Sequence, residues 1–164
     1  MRKKIKMIIV LFFITQAGVS PSTVNQDENI FNAKKYFIEE EIYQKAFTPE
    51  LFREAMFYAG IMYQDIAYRQ AILETGNFTS QIFKEGNNLF GFRLAKYRPS
   101  PGIGEINYHA KYWHWYDSVR DYAMWQQWNL ARGHILNEYF TFLEEIRYAV
   151  DPLYISKLQN LEII

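Results

Sequence analysis

Apolar residues recur along most of this chain at intervals of three and four, the spacing that lines one face of an α-helix. Leu51, Ala55, Tyr58 and Met62 make one such stripe. Thr48-Pro49-Glu50 opens it with a capping side chain, a proline at the first helical position and an acid in the first turn. Gly60 ends or bends it. Upstream, residues 21–30 are polar and read as a linker, and Phe31 to Ala46 predicts a helix with Glu39, Glu40 and Glu41 on a solvated face. Asp65 to Thr75 predicts a helix closed by Gly76, and Phe78 to Phe83 a short helical turn. Val119, Tyr122, Ala123, Gln126 and Leu130 share one side of a helix from Ser118 to about Asn137. Tyr139, Phe142, Leu143 and Ile146 form the next stripe. Asp151-Pro152 repeats the cap-plus-proline start ahead of Tyr154, Ile155, Leu158 and Leu161.

Between residues 92 and 112 the period changes. Ile106, Tyr108, Ala110 and Tyr112 alternate with Asn107, His109 and Lys111, a strand pattern. Tyr97 to Gly104 holds two prolines and two glycines and reads as a long loop. The expected fold class is α+β, mostly α: a single helical domain with a β-hairpin or small sheet inserted. There is no internal repeat.

The start of the chain is of another kind. Arg2, Lys3, Lys4 and Lys6 precede an eight-residue apolar run, Met7 to Ile14, and the small residues Ala17, Gly18 and Ser20 follow. Spanning a bilayer as a helix takes roughly twenty apolar residues. A basic start, a short apolar centre and a small-residue exit read as a secretory signal peptide over residues 1–20. Export to the periplasm, the cell envelope or the medium is expected. Removing the segment takes Lys+Arg from 18 to 14 against 18 Asp+Glu, a net charge of about −4. That balance argues against a nucleic-acid partner, whose affinity would come from phosphate neutralisation. Cys is absent, which excludes a disulfide framework and a thiolate nucleophile. Aromatic residues make up 18% of the chain, enough for a core that carries a wide aromatic cleft.

Glu74 is the candidate for chemistry. It shares a helix side with Ala67, Gln70 and Ala71, which is mostly small and apolar, and it lies in the last turn before Thr75-Gly76. A carboxylate there faces the negative end of the helix dipole. Partial desolvation and the dipole both disfavour ionisation and raise the pKa. A carboxylic acid that keeps its proton near neutral pH is what protonates a leaving oxygen in glycoside cleavage. Position alone leaves a surface carboxylate as the commoner outcome. His109, His114 and His134 lack ligand spacing with a carboxylate, so no metal or other cofactor is expected. No nucleophile elbow, P-loop or dinucleotide fingerprint is present.

Gln70-Ala71-Ile72-Leu73-Glu74-Thr75-Gly76, followed by Asn87-Asn88-Leu89-Phe90-Gly91, resembles the signature of bacterial N-acetylglucosaminidases of glycoside hydrolase family 73. The resemblance continues through Tyr112 and Ser118-Val119-Arg120-Asp121-Tyr122, and resumes over Tyr148 to Leu158. It implies a lysozyme-like helical lobe and a small β-hairpin lobe facing each other across a groove. It divides the chain into a signal peptide (1–20), a linker with an N-terminal helix (21–47) and a catalytic domain (48–164). Glu74 matches the family's general acid, protonating the glycosidic oxygen after N-acetylglucosamine.

The resemblance implies substrate-side roles for Asn88 and Phe90, in the segment entering the β lobe, and for Tyr112, which would position the N-acetyl sugar. Trp115 is a candidate sugar platform. Many relatives carry a second carboxylate in the β lobe. Here Glu105 is the only acid between Gly91 and Tyr112, and it lies closer to Tyr112 than the family pattern places that acid. A two-carboxylate inverting mechanism needs the pair roughly 6.5–9.5 Å apart. Arg93, Lys96 and Arg98 could meet carboxylates of peptide stems. The implied substrate is peptidoglycan or another N-acetylglucosamine-containing glycan. A monomer is expected, with no stable membrane insertion once the signal is removed. A lytic transglycosylase and a non-catalytic glycan-binding module fit the same residues.

Overall fold

The computed structural model describes residues 26–134 and 138–163, with side chains from residue 32 onward. The segment read as a signal peptide lies outside them. Among the described residues are seven helices and one two-stranded antiparallel sheet, an α+β fold that is mostly α, as the periodicity predicts. In chain order these are α1 (Gln26–Tyr43), α2 (Pro49–Tyr58), α3 (Gln64–Thr75), α4 (Gln81–Gly86), β1 (Gly104–Ile106), β2 (His109–Lys111), α5 (Trp115–Ala131), α6 (Tyr139–Glu145) and α7 (Tyr154–Asn160).

Capping chemistry sets several of the boundaries. Thr48 caps α2 as predicted, its Oγ1 accepting from the Leu51 N–H at 3.1 Å. α1 begins inside the stretch read as linker. α4 starts later than expected. Asn77 and Phe78 both have left-handed backbones, and Ser80 then caps the helix by accepting from the Phe83 N–H at 3.2 Å. α5 starts earlier, at a reciprocal cap: His114 Nδ1 accepts from the Tyr116 N–H, and Asp117 Oδ2 accepts from the His114 N–H. Burial lowers the His114 pKa, which keeps that ring nitrogen free to accept. Asp151 caps a turn rather than a helix, its Oδ1 accepting from the Leu153 N–H at 2.9 Å, and α7 begins only at Tyr154.

The alternating run Ile106–Tyr112 contains a turn. Asn107 and Tyr108 have φ of 48° and 65°, the left-handed pair that a two-residue type I′ hairpin requires. Gly104 pairs with Lys111, Glu105 with Ala110 and Ile106 with His109. The hairpin docks on α4, where a Cβ at Gly86 would meet Ile106 Cγ2 at 2.7 Å. The main core joins Phe52, Met56, Ala67, Ala71, Leu89, Phe90, Tyr116, Val119 and Tyr122. A second cluster joins Tyr139, Phe142, Leu143, Tyr154 and Leu158, and Trp125 packs against both.

The long loop between Phe92 and β1 is tied down by a buried ion pair. Arg98 bonds Asp121 on α5, which is fully buried and also accepts from the Tyr112 hydroxyl at 2.7 Å. Removing one partner of such a pair strands a charge in the interior. Arg98→Ala is therefore expected to lower unfolding free energy by about 3–5 kcal/mol, read from the urea midpoint at constant slope. A change within error would mean that the pair does not hold the loop.

Candidate active site

The end of α3 is held rigidly. Gly76 takes the left-handed C-cap position (φ 56°), and the Asn77 N–H reaches back to the Ile72 carbonyl at 2.8 Å. Thr75 Oγ1 donates to the Ala71 carbonyl at 2.5 Å and accepts from the Phe78 N–H at 2.8 Å. Glu74 therefore projects from a fixed last turn. Ala67, Gln70 and Ala71 on its helix side are fully buried, and Glu74 itself is half-buried at the edge of a groove.

That groove has a volume of about 500 Å³. Phe90, Gly91, Phe92 and Arg93 line it from the segment after α4, His109 from β2 and Trp125 from α5. Ile146 to Val150 close the side opposite. Burial holds the Glu74 carboxyl above its ordinary value of 4.5, against the opposing effects of a hydrogen bond from Tyr154 and the nearby His109 imidazole.

The two Glu74 oxygens are inequivalent. Oε1 accepts from the Tyr154 hydroxyl at 2.9 Å. Oε2 lies against Gly91, where a Cβ would sit only 2.6 Å from it. Gly91 has φ of 66°, so the site needs glycine both for its backbone and for this close approach. Burial beside Glu74 pushes the Tyr154 hydroxyl far above its usual range, which keeps it a donor. With Oε1 occupied as an acceptor, the acid's own proton belongs on Oε2.

Behind Tyr154 runs a buried polar chain. Gln70 Nε2 donates to the Tyr154 oxygen at 3.2 Å, and Gln70 Oε1 accepts from Tyr122 at 2.5 Å. Tyr122 has spent its proton, so Tyr139 donates to it at 2.6 Å, and Gln126 Nε2 donates to Tyr139 at 2.7 Å. The Gln126 amide is oriented by the Met62 backbone, with 2.9 Å bonds to both its N–H and its C=O. Every donor in the chain points toward Glu74, an arrangement in which successive bonds polarise one another.

The other candidates are placed differently. Phe90 floors the groove, 1% exposed and stacked on Tyr122 at 4.1 Å. Asn88 is buried behind it with its side chain fully used: Nδ2 donates to Phe92 O and Ala110 O, and Oδ1 accepts from the N–H groups of Phe90 and Phe92. It shapes the turn that presents Gly91 and does not line the groove. Tyr112 is also buried and points at Asp121. Trp115 is 3% exposed, packs edge-on against Phe47 at 5.5 Å and donates from Nε1 to the Lys45 carbonyl at 3.3 Å. It is a core residue rather than a platform.

Glu105 is exposed and pairs with Ala110, whereas the groove-lining His109 pairs with Ile106. Opposed residues share a face and successive ones alternate, so Glu105 lies on the hairpin face away from His109. The structure does not bring it to Glu74. Of the loop cations, Arg93 reaches the groove and Arg98 is consumed by Asp121.

Sequence reasoning missed Tyr148, which donates to the Phe90 carbonyl at 2.9 Å, and it missed the roles of Tyr154 and Arg147. Tyr154 stood inside the matched closing segment, but its spacing there was that of a core residue. Another depression, of about 600 Å³, lies between α1 and a different face of α5. Its acid, Glu39, is already engaged by the Tyr116 hydroxyl at 2.9 Å. No cluster of three metal-ligating side chains occurs among the described residues.

A half-buried carboxyl with a raised pKa at the rim of an aromatic groove is the arrangement that general-acid chemistry requires. The sequence comparison agrees: residues 49–162 match the glucosaminidase family, described as mannosyl-glycoprotein endo-beta-N-acetylglucosaminidase, and the chain belongs to that family. No curated protein and no solved structure matches it. Membership places the domain among glycosidases acting on glycans.

Two outcomes are expected from this geometry. A folded-state pKa above the unfolded value favours folding below the unfolded pKa, and that contribution is lost as pH rises through the folded pKa. Glu74→Gln should therefore melt higher than wild type at neutral pH, the gap narrowing as pH falls from the raised folded-state pKa toward about 4.5 and vanishing below it. A gap that is absent at neutral pH, or that does not change with pH, contradicts a desolvated acid. Gly91→Ala should cost about 1–2 kcal/mol from its backbone alone and should also displace Glu74. Urea unfolding together with an activity assay checks both effects.

Proposed function

We propose that the protein is an exported glycosidase that cleaves the glycan strand of peptidoglycan after N-acetylglucosamine, with Glu74 as general acid. The observation that carries this reading is the Glu74 carboxyl: desolvated, anchored through one oxygen and open to the groove through the other. In the reaction, Oε2–H protonates the departing glycosidic oxygen as the bond from the anomeric carbon breaks, leaving an oxocarbenium-like centre. The aromatic rings of Phe92, Trp125 and Tyr148 supply apolar faces for sugar rings. Export rests on the basic-then-apolar start of the chain, residues 1–20. Among the described residues no helix is long and apolar enough to cross a membrane.

Glu74 is the only carboxylate lining the groove among the described residues. That favours a mechanism in which the substrate's own N-acetyl oxygen attacks the anomeric carbon, after which Glu74, now ionised, takes a proton from the incoming water. The same lone acid also supports a second reading. If Glu74 takes the proton from the sugar's C6 hydroxyl instead, that oxygen closes on the anomeric carbon and the product is an anhydro sugar, as in a lytic transglycosylase.

General-acid catalysis contributes about 10²–10⁴-fold, so Glu74→Gln is expected to lower turnover by that factor and abolish clearing in a cell-wall gel. A variant that clears as well as wild type would overturn the assignment. Mass spectrometry of the wild-type fragments separates the two chemistries, since hydrolysis adds the elements of water and leaves a reducing end. Retention of wild type on sacculi with no released product would instead identify a binding module.

A further inference from the structure

We propose that Arg93 and Arg147 form a specificity-determining pair that draws carboxylate-bearing glycan strands into the groove and disfavours neutral ones. The inference rests on the reading above for the site and goes beyond it in naming which residues select the substrate's charge.

The observation is where the cations without partners lie. Five of the described arginines are engaged. Arg98 and Arg120 pair with Asp121 and Asp117, and Arg69 donates to the carbonyls of Leu158 and Leu161. Arg53 lies over the Tyr68 ring at 3.6 Å and Arg132 over Trp128 at 6.0 Å. Arg93 and Arg147 remain. Among the described residues neither guanidinium has an ion pair, a hydrogen bond or a ring beneath it, and both line the groove that holds Glu74.

The two come from separate elements. Arg93 follows the turn that Asn88 clamps, and Arg147 follows α6 with a left-handed backbone, φ 52°. A residue other than glycine in that conformation is strained. Arg147 also lines the adjoining depression, where Asp151 is already paired with Lys157 and Glu144 is the remaining acid.

Electrostatics sharpens the case. Positive charge beside a carboxyl stabilises its ionised form and lowers its pKa. Two unpaired guanidinium groups in a groove whose one carboxyl carries a raised pKa leave positive charge that no described residue lining the groove balances. Their placement makes sense if an anion on the substrate neutralises them when the strand is seated. A guanidinium fork accepts a carboxylate through two parallel hydrogen bonds. Peptidoglycan offers free carboxylates on its peptide stems, or on the lactyl ether of sugars from which the stem has been removed, whereas a plain N-acetylglucosamine polymer offers none.

Binding tests this independently of turnover. In the Glu74→Gln protein, affinity is measured with and without Arg93→Gln and Arg147→Gln for three ligands: intact peptidoglycan fragments, the same strands stripped of stem peptides, and a neutral N-acetylglucosamine oligomer. A charge-assisted contact is worth about 1.5–3 kcal/mol, so losing the pair should weaken the anionic ligands about tenfold or more at low salt and progressively less as salt rises. The neutral oligomer should be unaffected. Loss on intact fragments only assigns the stem carboxylates, loss on stripped strands only assigns the lactyl carboxylate that stem removal frees, and loss on both shows that the pair accepts either. Equal weakening of the neutral oligomer, or no weakening of any ligand, overturns the proposal. Wild-type protein that releases no product while these differences persist would sink the catalytic reading and leave this one standing.

Discussion

The bond from the Tyr154 hydroxyl to Glu74 Oε1 joins the end of α3 to the start of α7. It links two hydrophobic clusters that Trp125 and Tyr148 also bridge. A carboxyl group at the end of a helix, facing the dipole's negative end and partly removed from water, meets two unfavourable effects if it ionises and neither if it stays protonated. Without a donor on Oε1, however, the neutral acid could rotate and place its proton on either oxygen. Tyr154 removes that freedom and leaves Oε2 to face the groove.

This explains why so many of the buried aromatics are tyrosines rather than phenylalanines. Tyr122, Tyr139 and Tyr154 lie in hydrophobic surroundings where each hydroxyl would be costly without a partner. Gln70 joins Tyr154 to Tyr122, Tyr122 meets Tyr139 directly, and the direction of the chain is set at its far end by the Met62 backbone, which holds the Gln126 amide one way round. Tyr122 also stacks on Phe90, the groove floor. The polar chain and the aromatic packing therefore share residues, so a change in either moves the groove. Among the described residues no buried side-chain nitrogen or oxygen is left without a partner.

Local chemistry made much of the fold readable in advance. Thr48-Pro49 and Gly76 act within their own turn, so their signals survive in the sequence. The face shared by Glu74, Gln70 and Ala67 follows from helix geometry alone. What was hidden depends on partners far along the chain. The Asn107-Tyr108 turn was masked because apolar and polar residues keep alternating through it. Trp115 and Tyr112 have the composition of sugar-binding residues. Only the packing of Phe47 on one and the placement of Asp121 near the other show that they face inward. Glu105 turns away from the groove because of strand register, and a two-residue turn in place of a continuous strand determines that register. Gly91, by contrast, lay in plain sight within the matched motif. Its reason, an acid oxygen where a side chain would be, exists only in three dimensions.

One acid at the groove restricts the chemistry more than two would. With a carboxylate pair, one member stays ionised to hold a water while the other stays protonated, and their separation decides the stereochemical outcome. With Glu74 as the acid, the described residues bring no second carboxylate to the groove to stabilise the developing positive charge. Arg93, His109 and Arg147 make the field there less favourable still. On the proposed mechanism, stabilisation arrives with the substrate, through its N-acetyl oxygen at the reacting carbon and through anionic groups that neutralise the arginines. A site built this way is incomplete until the strand is seated. The same charges that would hinder the reaction on a neutral polymer then serve to select an acidic one.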